Sequence, residues 1–242
     1  MMTNPQSIGS WAQRQINGLL LAGWLLVGLL FAGAAAAPAF QSEHPLTGRR
    51  IAPVMGVGGA DWLERSEREM EEHPDAALDA IGIKPGMVVA DVGAGTGYMT
   101  LRMARRVGPS GKVYANDVQP EMLRRLRQNA AKEKLANIET VLGTEADPKL
   151  PPGKLDLILL VDVYHEFSQP QKMLQRMREA LKPDGRLVLL EYRKEDPSIP
   201  IRPEHKMSVQ EVKTEVEAEG FRMDQVLETL PRQHILILKK TS

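Results

Sequence analysis

The sequence predicts a doubly wound α/β domain, a mostly parallel sheet with helices on both faces. Three observations carry this. From residue 87 onward, apolar runs of strand length alternate with segments of helical periodicity. The run 155–161 is apolar except for Asp156 near its start, the pattern of a parallel strand buried on both sides. Between the first strand and first helix of this alternation lies a glycine-rich turn, Asp91-Val92-Gly93-Ala94-Gly95-Thr96-Gly97.

In chain order, a charged helix is expected over 61–72, with Asp61 as N-cap and Trp62, Leu63, Ser66 and Met70 left to pack. It reads either as a solvated helix laced with ion pairs or as a lid over the site. A second helix over 74–81 closes at Gly82. Strand 87–92 leads through the glycine turn to helix 98–107, where Met99, Met103, Ala104 and Val107 share a face. Strand 113–117 follows. Pro120 then opens a helix whose apolar face is Met122, Leu123, Leu126 and Ala130. Strands 138–142 and 155–161, helix 170–181 and strand 187–192 continue the alternation, with Pro183-Asp184-Gly185 as a turn. Ser208-Val209-Gln210-Glu211 is a capping box, and Gly220 ends its helix. The last two strands, 223–230 and 234–238, are joined only by Pro231-Arg232-Gln233. So short a link permits an antiparallel pair but no parallel crossover.

The 242 residues suffice for one domain with a substantial core, and 43% hydrophobic with 26% charged residues is ordinary for a globular chain. Thirty-one basic and thirty-one acidic side chains cancel, so no global field recruits nucleic acid, and no nucleic-acid partner is expected. The absence of cysteine excludes disulfides, thiolate metal sites and a cysteine nucleophile. Residues 1–39 stand apart. Arg14 precedes the apolar run 19–37, which ends in alanines before Pro38 and reads as a cleaved signal peptide or a retained membrane anchor. The body is then expected on the far side of the membrane, with membrane contact through this segment if it is kept. Residues 40–59, rich in Pro and Gly around Arg49-Arg50, read as a linker. Residues 60–82 read as a helical cap, and 83–242 as the ligand-binding domain.

Glycines after a strand let a ligand approach the backbone, and the helix that follows offers free N–H groups. A dinucleotide fingerprint needs a third glycine where Tyr98 stands, which disfavours a nicotinamide oxidoreductase. The acid Asp91 ahead of the glycines suits a cationic ligand better than a pyrophosphate. Asp117, ending the second strand, can accept both hydroxyls of a ribose. Beyond the fourth strand, Asp162-Val163-Tyr164-His165-Glu166-Phe167 falls where ligands of open α/β sheets bind. His165 and Glu166 are candidates to take a proton from an acceptor, although His165 reads equally as a helix cap or core histidine. Glu191-Tyr192-Arg193 and the loop 203–207 should face the same pocket. Two scattered histidines, His165 and His205, do not make a metal site, and none is expected.

The glycine motif, strand 113–117 with Gln119-Pro120-Glu121-Met122-Leu123, residues 155–162, and Leu181-Lys182-Pro183-Asp184-Gly185-Arg186-Leu187 together resemble class I S-adenosylmethionine (SAM)-dependent methyltransferases. The resemblance spans about 83–239. It implies a seven-stranded Rossmann-like sheet with an antiparallel last strand, SAM as cofactor, and methyl transfer to an acceptor of small-molecule class. It also implies that Asp91, Gly93, Gly95 and Gly97 line the methionine portion, that Asp117 holds the ribose, and that Glu145, in preference to Asp147, contacts adenine. Asp162 completes the cofactor side, and Tyr164, His165 and Glu166 are the catalytic candidates. A SAM-binding module without catalysis is the alternative.

Overall fold

A computed structural model describes residue 1 and residues 42–241. The apolar run 19–37, and with it the expected signal or anchor, lies outside the described residues. Among the described residues no helix is long and apolar enough to cross a membrane.

The sheet has seven strands: β1 (Val88–Val92), β2 (Lys112–Asp117), β3 (Ile138–Leu142), β4 (Leu155–Val161), β5 (Leu181–Tyr192), β6 (Phe221–Leu227) and β7 (Gln233–Lys240). Their order is β3-β2-β1-β4-β5-β7-β6. The first five run parallel, and β7 pairs antiparallel with both β5 and β6. Side-chain alternation fills both faces. Val89, Leu157, Leu159, Val188 and Ile237 pack with helices α3 (Pro74–Ile81) and α4 (Tyr98–Val107). Their neighbours Ala90, Ile158, Leu160, Leu189 and Leu236 pack on the opposite side with α6 (Pro170–Ala180) and α7 (Val209–Ala218). Helix α5 (Pro120–Lys132) sets Leu126 against Ala94 and Ala115. The continuous apolar strands thus reflect a sheet covered twice.

Two expected elements differ. Residues 61–72 do not form one helix: they give α1 (Ala60–Leu63) and α2 (Arg68–Glu72). The break has a local cause. The Trp62 carbonyl accepts from Arg65 Nη1 at 2.9 Å and the Leu63 carbonyl from Arg68 Nη1 at 3.0 Å, so side chains serve acceptors that a continuous helix would use itself. The packing is also inverted. Arg68 and Glu72 are buried, whereas Trp62 and Met70 are exposed. The second difference is in β5, which begins earlier than expected, at Leu181. It pairs there with Leu155 and resumes at Arg186 opposite Leu157, so the Pro183-Asp184-Gly185 turn is looped out inside the strand.

The segment read as a linker is, from Ser42 on, fastened to the body. Arg49 is buried with its guanidinium on Glu215 of α7, and the Ala52 N–H donates to the His165 carbonyl at 3.1 Å.

Candidate active site

The chain leaves β1 toward β2 on one side while β4 lies on the other, so the sheet's direction of winding reverses between β1 and β4. A crevice forms at the carboxyl ends of strands at such a point. Here it is a cleft of about 1080 Å³ whose lining includes Asp91, Gly93, Gly95, Asp117, Glu145 and Asp162.

Asp91 is buried at the end of β1 and accepts from Thr100 Oγ1 at 2.5 Å. Burial raises its carboxyl to about 6 despite that hydrogen bond. Gly93 has φ of 77°, and a Cβ there would lie 2.5 Å from Val163 Cγ2. Only glycine lets the turn pass so close under the loop that follows β4. The N–H groups of Gly93 and Ala94 both donate to the Asn116 carbonyl at 2.9 Å, which ties the turn to β2. Asp117 accepts from the Gly95 N–H at 2.9 Å on one oxygen and from the Gln119 N–H at 2.8 Å on the other. Both oxygens are therefore fixed, and each retains a lone pair. Burial pushes this carboxyl up as well.

Glu145 lines the cleft and accepts from Ser168 Oγ at 2.9 Å. Asp147 closes its own turn instead, accepting from the Lys149 N–H at 2.7 Å. Asp162 follows β4 in a left-handed conformation, φ 54°. Gln233 Nε2 donates to its Oδ2 at 2.7 Å, while its Oδ1 is sealed from solvent with no partner among the described residues. Burial, with Glu72 and Glu191 near, drives the Asp162 carboxyl well above the ordinary range. Gly97 is not on the cleft wall. Its Cβ would lie 2.9 Å from Leu126 Cγ, so its place is in the packing of α4 on α5.

The cleft lining also includes His165, Glu166 and His205. His165 is buried, with Nδ1 2.7 Å from Glu191 Oε2 and Nε2 3.2 Å from His205 Nδ1. Glu191 is fully buried, and its second oxygen accepts from the Tyr164 N–H at 3.0 Å. Arg202 Nη2 lies 3.0 Å from His205 Nε2. An arginine only donates, so with neutral rings the hydrogen bonds run in one direction: Arg202 to His205, to His165, to Glu191. Burial opposes a charged His165, but Glu191 outweighs it and raises the ring's proton affinity. Burial, together with His165 and Arg202, lowers that of His205. Burial raises Glu166 to about 7.

Tyr164, expected beside these groups, is elsewhere. Its side chain is fully buried in the core, edge-on to Phe167 and with the Arg49 guanidinium 5.4 Å from its ring centre. In the short helical turn Tyr164–Glu166, successive side chains point apart, and the apolar one goes inward.

Three contributors were not foreseen. Arg68 reaches the cleft, carried by Glu72 at 2.6 Å. Residues 53–55 line it too, with Gln119 Nε2 donating to the Met55 carbonyl at 2.9 Å. Arg49 Nη1 donates to the His165 carbonyl at 3.1 Å. Only the Arg49-Arg50 pair marked any of these in the sequence, and nothing local named its partner. Trp62 and Leu63 also line the cleft, over the glycine turn.

Comparisons with known proteins agree with this architecture. A "SAM dependent methyltransferase" from Aquifex aeolicus superposes with a TM-score of 0.73 at 30% identity, over 76% of this chain and 98% of that one. The [4+2]-cyclase SpnF shares the fold at TM-score 0.59 and 16% identity, over 70% of this chain and 80% of that one. Nocamycin O-methyltransferase of Saccharothrix syringae is 30% identical over 58% of this chain and 48% of its own length. The ubiquinone/menaquinone biosynthesis C-methyltransferase UbiE of Hydrogenovibrio crunogenus is 31% identical over 49% of this chain and 47% of its own. The chain thus spans about half the length of the curated relatives it matches. The family model described as a methyltransferase domain matches residues 83–233, from the end of α3 into β7, and the chain belongs to the methyltransferase domain family.

Proposed function

We infer that the chain is a SAM-dependent methyltransferase acting on a small-molecule acceptor. The observation that carries this is the pair of strand-end carboxylates, Asp91 and Asp117, on the wall of one cleft beside a glycine turn whose backbone shares that wall. The site fits the cofactor on three further counts. Asp117 has both oxygens oriented by backbone N–H groups, as two adjacent hydroxyls require. The buried Oδ1 of Asp162, on the cleft lining, has no hydrogen-bond partner among the described residues. The volume, about 1080 Å³, accommodates a nucleoside cofactor with a small acceptor beside it.

Bound SAM supplies an electrophilic methyl group on a sulfonium. The chain's own residues bind and align. Asp91 would hold the cationic amine, Asp117 the ribose hydroxyls and Glu145 the adenine edge. Alignment of two reactants is worth several kcal/mol of barrier by itself, on the order of 7–11 in the best cases. Residues 53–55 with Trp62 and Leu63 add apolar surface to the cleft lining, which favours a poorly hydrated site for the reaction. At the far end the acceptor's proton leaves through the group formed by His165, Glu166 and His205, with Glu191 behind it.

The test is calorimetry with SAM, then a methyl-release assay against fractionated cell extract. Hydrogen bonds to a charged group are worth about 1.5–3 kcal/mol, so Asp117→Ala should weaken SAM roughly ten- to a hundredfold. Equal binding by the variant would remove the basis of the assignment. Tight binding with no methyl release from any fraction would leave a SAM-binding module. The apolar run 19–37 behind Arg14 supports membrane targeting, by a cleaved signal or a retained anchor, with the body exported. Sequencing the N-terminus of the protein from its native cells decides between those two, and a body found in the cytoplasm removes both.

A further inference from the structure

We propose that His165, His205 and Glu166 form a binding site for one divalent transition-metal ion at the acceptor end of the cleft. Nothing in the sequence spacing suggested it, because the three residues come from the loop after β4 and the loop after β5. The fold brings one ligand atom from each within 4.8 Å of the others.

The geometry of the two rings is specific. His165 Nε2 and His205 Nδ1 face each other at 3.2 Å with the rings nearly perpendicular, at 84°. Metal–imidazole bonds of 2.0–2.1 Å in a tetrahedron place two ligand nitrogens about 3.3–3.4 Å apart, so a cation between these rings needs almost no backbone movement. The support behind the first ring is also of the kind that metal sites use. A ligating histidine commonly donates its other N–H to a buried carboxylate, which fixes its tautomer and raises its basicity. His165 has that partner in Glu191, which is wholly buried at 2.7 Å and held in turn by the Tyr164 N–H. Glu166 supplies the oxygen ligand after a rotamer change.

One group opposes the arrangement as it stands. Arg202 donates to His205 Nε2, which must carry a proton when Nδ1 binds a metal. The Arg202 side chain is 70% exposed, so it can turn into solvent without leaving a buried charge behind.

Two imidazoles and one carboxylate favour zinc, cobalt, iron or manganese over magnesium or calcium, which prefer oxygen ligands throughout. Three protein ligands leave a position open toward the cleft, the mark of a reactive rather than a structural site. The ligand that suits it is an acceptor hydroxyl or enol oxygen. Its lone pair bonds to the cation and its proton passes to water, which leaves an oxygen nucleophile at neutral pH. With the cation bound, His165, Glu166 and His205 ligate it instead of taking the acceptor's proton; the proposal rests on the methyl-transfer reading only for the identity of the open-site ligand.

The experiment uses the full chain, stripped with a chelator and titrated with Co²⁺ while visible absorption is followed, then with Zn²⁺ in competition. SAM affinity by calorimetry is measured on the same samples. The expected result is one Co²⁺ per chain, displaced by Zn²⁺ and indifferent to a hundredfold excess of Mg²⁺. His205→Ala and Glu166→Gln should each weaken it at least tenfold while SAM affinity stays within twofold. Retained SAM binding shows that a variant is folded. Should a variant lose SAM binding as well, Arg202→Ala is the second probe, and it should bind Co²⁺ at least as tightly as the native chain. Co²⁺ binding that is equal in the native chain and a His165→Ala/His205→Ala variant, or that Mg²⁺ abolishes, overturns the proposal. With SAM still bound, that outcome leaves the methyltransferase reading standing and returns the proton to the histidines alone. Failure of SAM to bind the native chain strikes that reading instead.

Discussion

Arg49 is the position where a single change should cost most relative to what the sequence suggests. Its guanidinium and the Glu215 carboxylate are almost completely buried, at 3% and 0% side-chain exposure, and share three contacts of 2.8 to 3.1 Å. Arg49→Met keeps the aliphatic stem and strands the carboxylate. Thr47 Oγ1 at 2.5 Å and His44 Nε2 at 3.4 Å remain beside it, but neither brings the fixed charge of a guanidinium. Breaking a buried pair from one side costs about 3–5 kcal/mol, because the remaining charge is desolvated without compensation. Replacing both members, as Arg49→Met with Glu215→Met, should restore most of this, since a buried pair exchanged for packed apolar groups is often neutral. A residual loss of about 1–2 kcal/mol is expected from Thr47 and from the second donor to the His165 carbonyl. Urea denaturation of the four proteins of the cycle measures each value. If Arg49→Met unfolds within 1 kcal/mol of the native chain, or the double variant is no better than the sum of the singles, the segment 44–52 is not held as described.

Two further outcomes concern the site and one the core. The Asp91 carboxyl titrates at about 6 without ligand, and a cationic amine beside it favours the ionised form. SAM affinity should therefore be highest between about pH 7 and the pH at which the cofactor's own amine loses its proton, and fall about tenfold per pH unit well below 6, with proton release on binding near pH 6. Calorimetry in buffers of different ionisation enthalpy reads both, and equal affinity at pH 5 and 7.5 excludes the role. Gly93→Ala adds left-handed strain of about 1–2 kcal/mol and a clash with Val163 of about 1–3 kcal/mol. Pairing it with Val163→Ala should recover only the second part in a denaturation curve; full recovery would mean that φ at 93 carries no strain. Leu159→Ala, in the middle of a strand buried on both faces, should cost about 2–5 kcal/mol in the same assay. A loss below 1 kcal/mol would contradict the double-layer core.

What the sequence made legible was what is local. The helices at 98–107 and 120–132 announce themselves through apolar residues three and four apart, and the structure places both where that spacing puts them. Asp91 and Asp117 were readable because each ends a strand of recognisable pattern, and the fold then brings strand ends together. The broken cap at 64–67 was not readable. Continuous helix propensity favoured one element, and whether Arg65 and Arg68 take the nearby Trp62 and Leu63 carbonyls or point to solvent is a side-chain choice that periodicity does not encode. Tyr164 was misplaced for a similar reason. A motif places a residue at a loop, but within one helical turn its neighbours diverge, and apolarity sent this one to the core.

The least legible features are also those that set the acceptor end. His165 is gripped from three directions: by Glu191 at its ring, by His205 across from it, and at its carbonyl by Arg49 Nη1 and the Ala52 N–H. Glu191 and His205 lie 26 and 40 residues after it, and Arg49 lies 116 residues before it, with Ala52 on the same segment. The ribose carboxylate does not depend on that segment, since Asp117 is fixed by the Gly95 and Gln119 N–H groups. A lesion at Arg49 should therefore be felt unequally by the two ends. In a variant mild enough to stay folded, such as Arg49→Lys, SAM should bind as before while turnover falls, because a lysine ammonium is a single point and loses the planar fork with which the guanidinium reaches Glu215 and the His165 carbonyl from separate nitrogens. Equal loss at both ends would mean that segment 44–52 braces the whole body rather than the loop carrying His165.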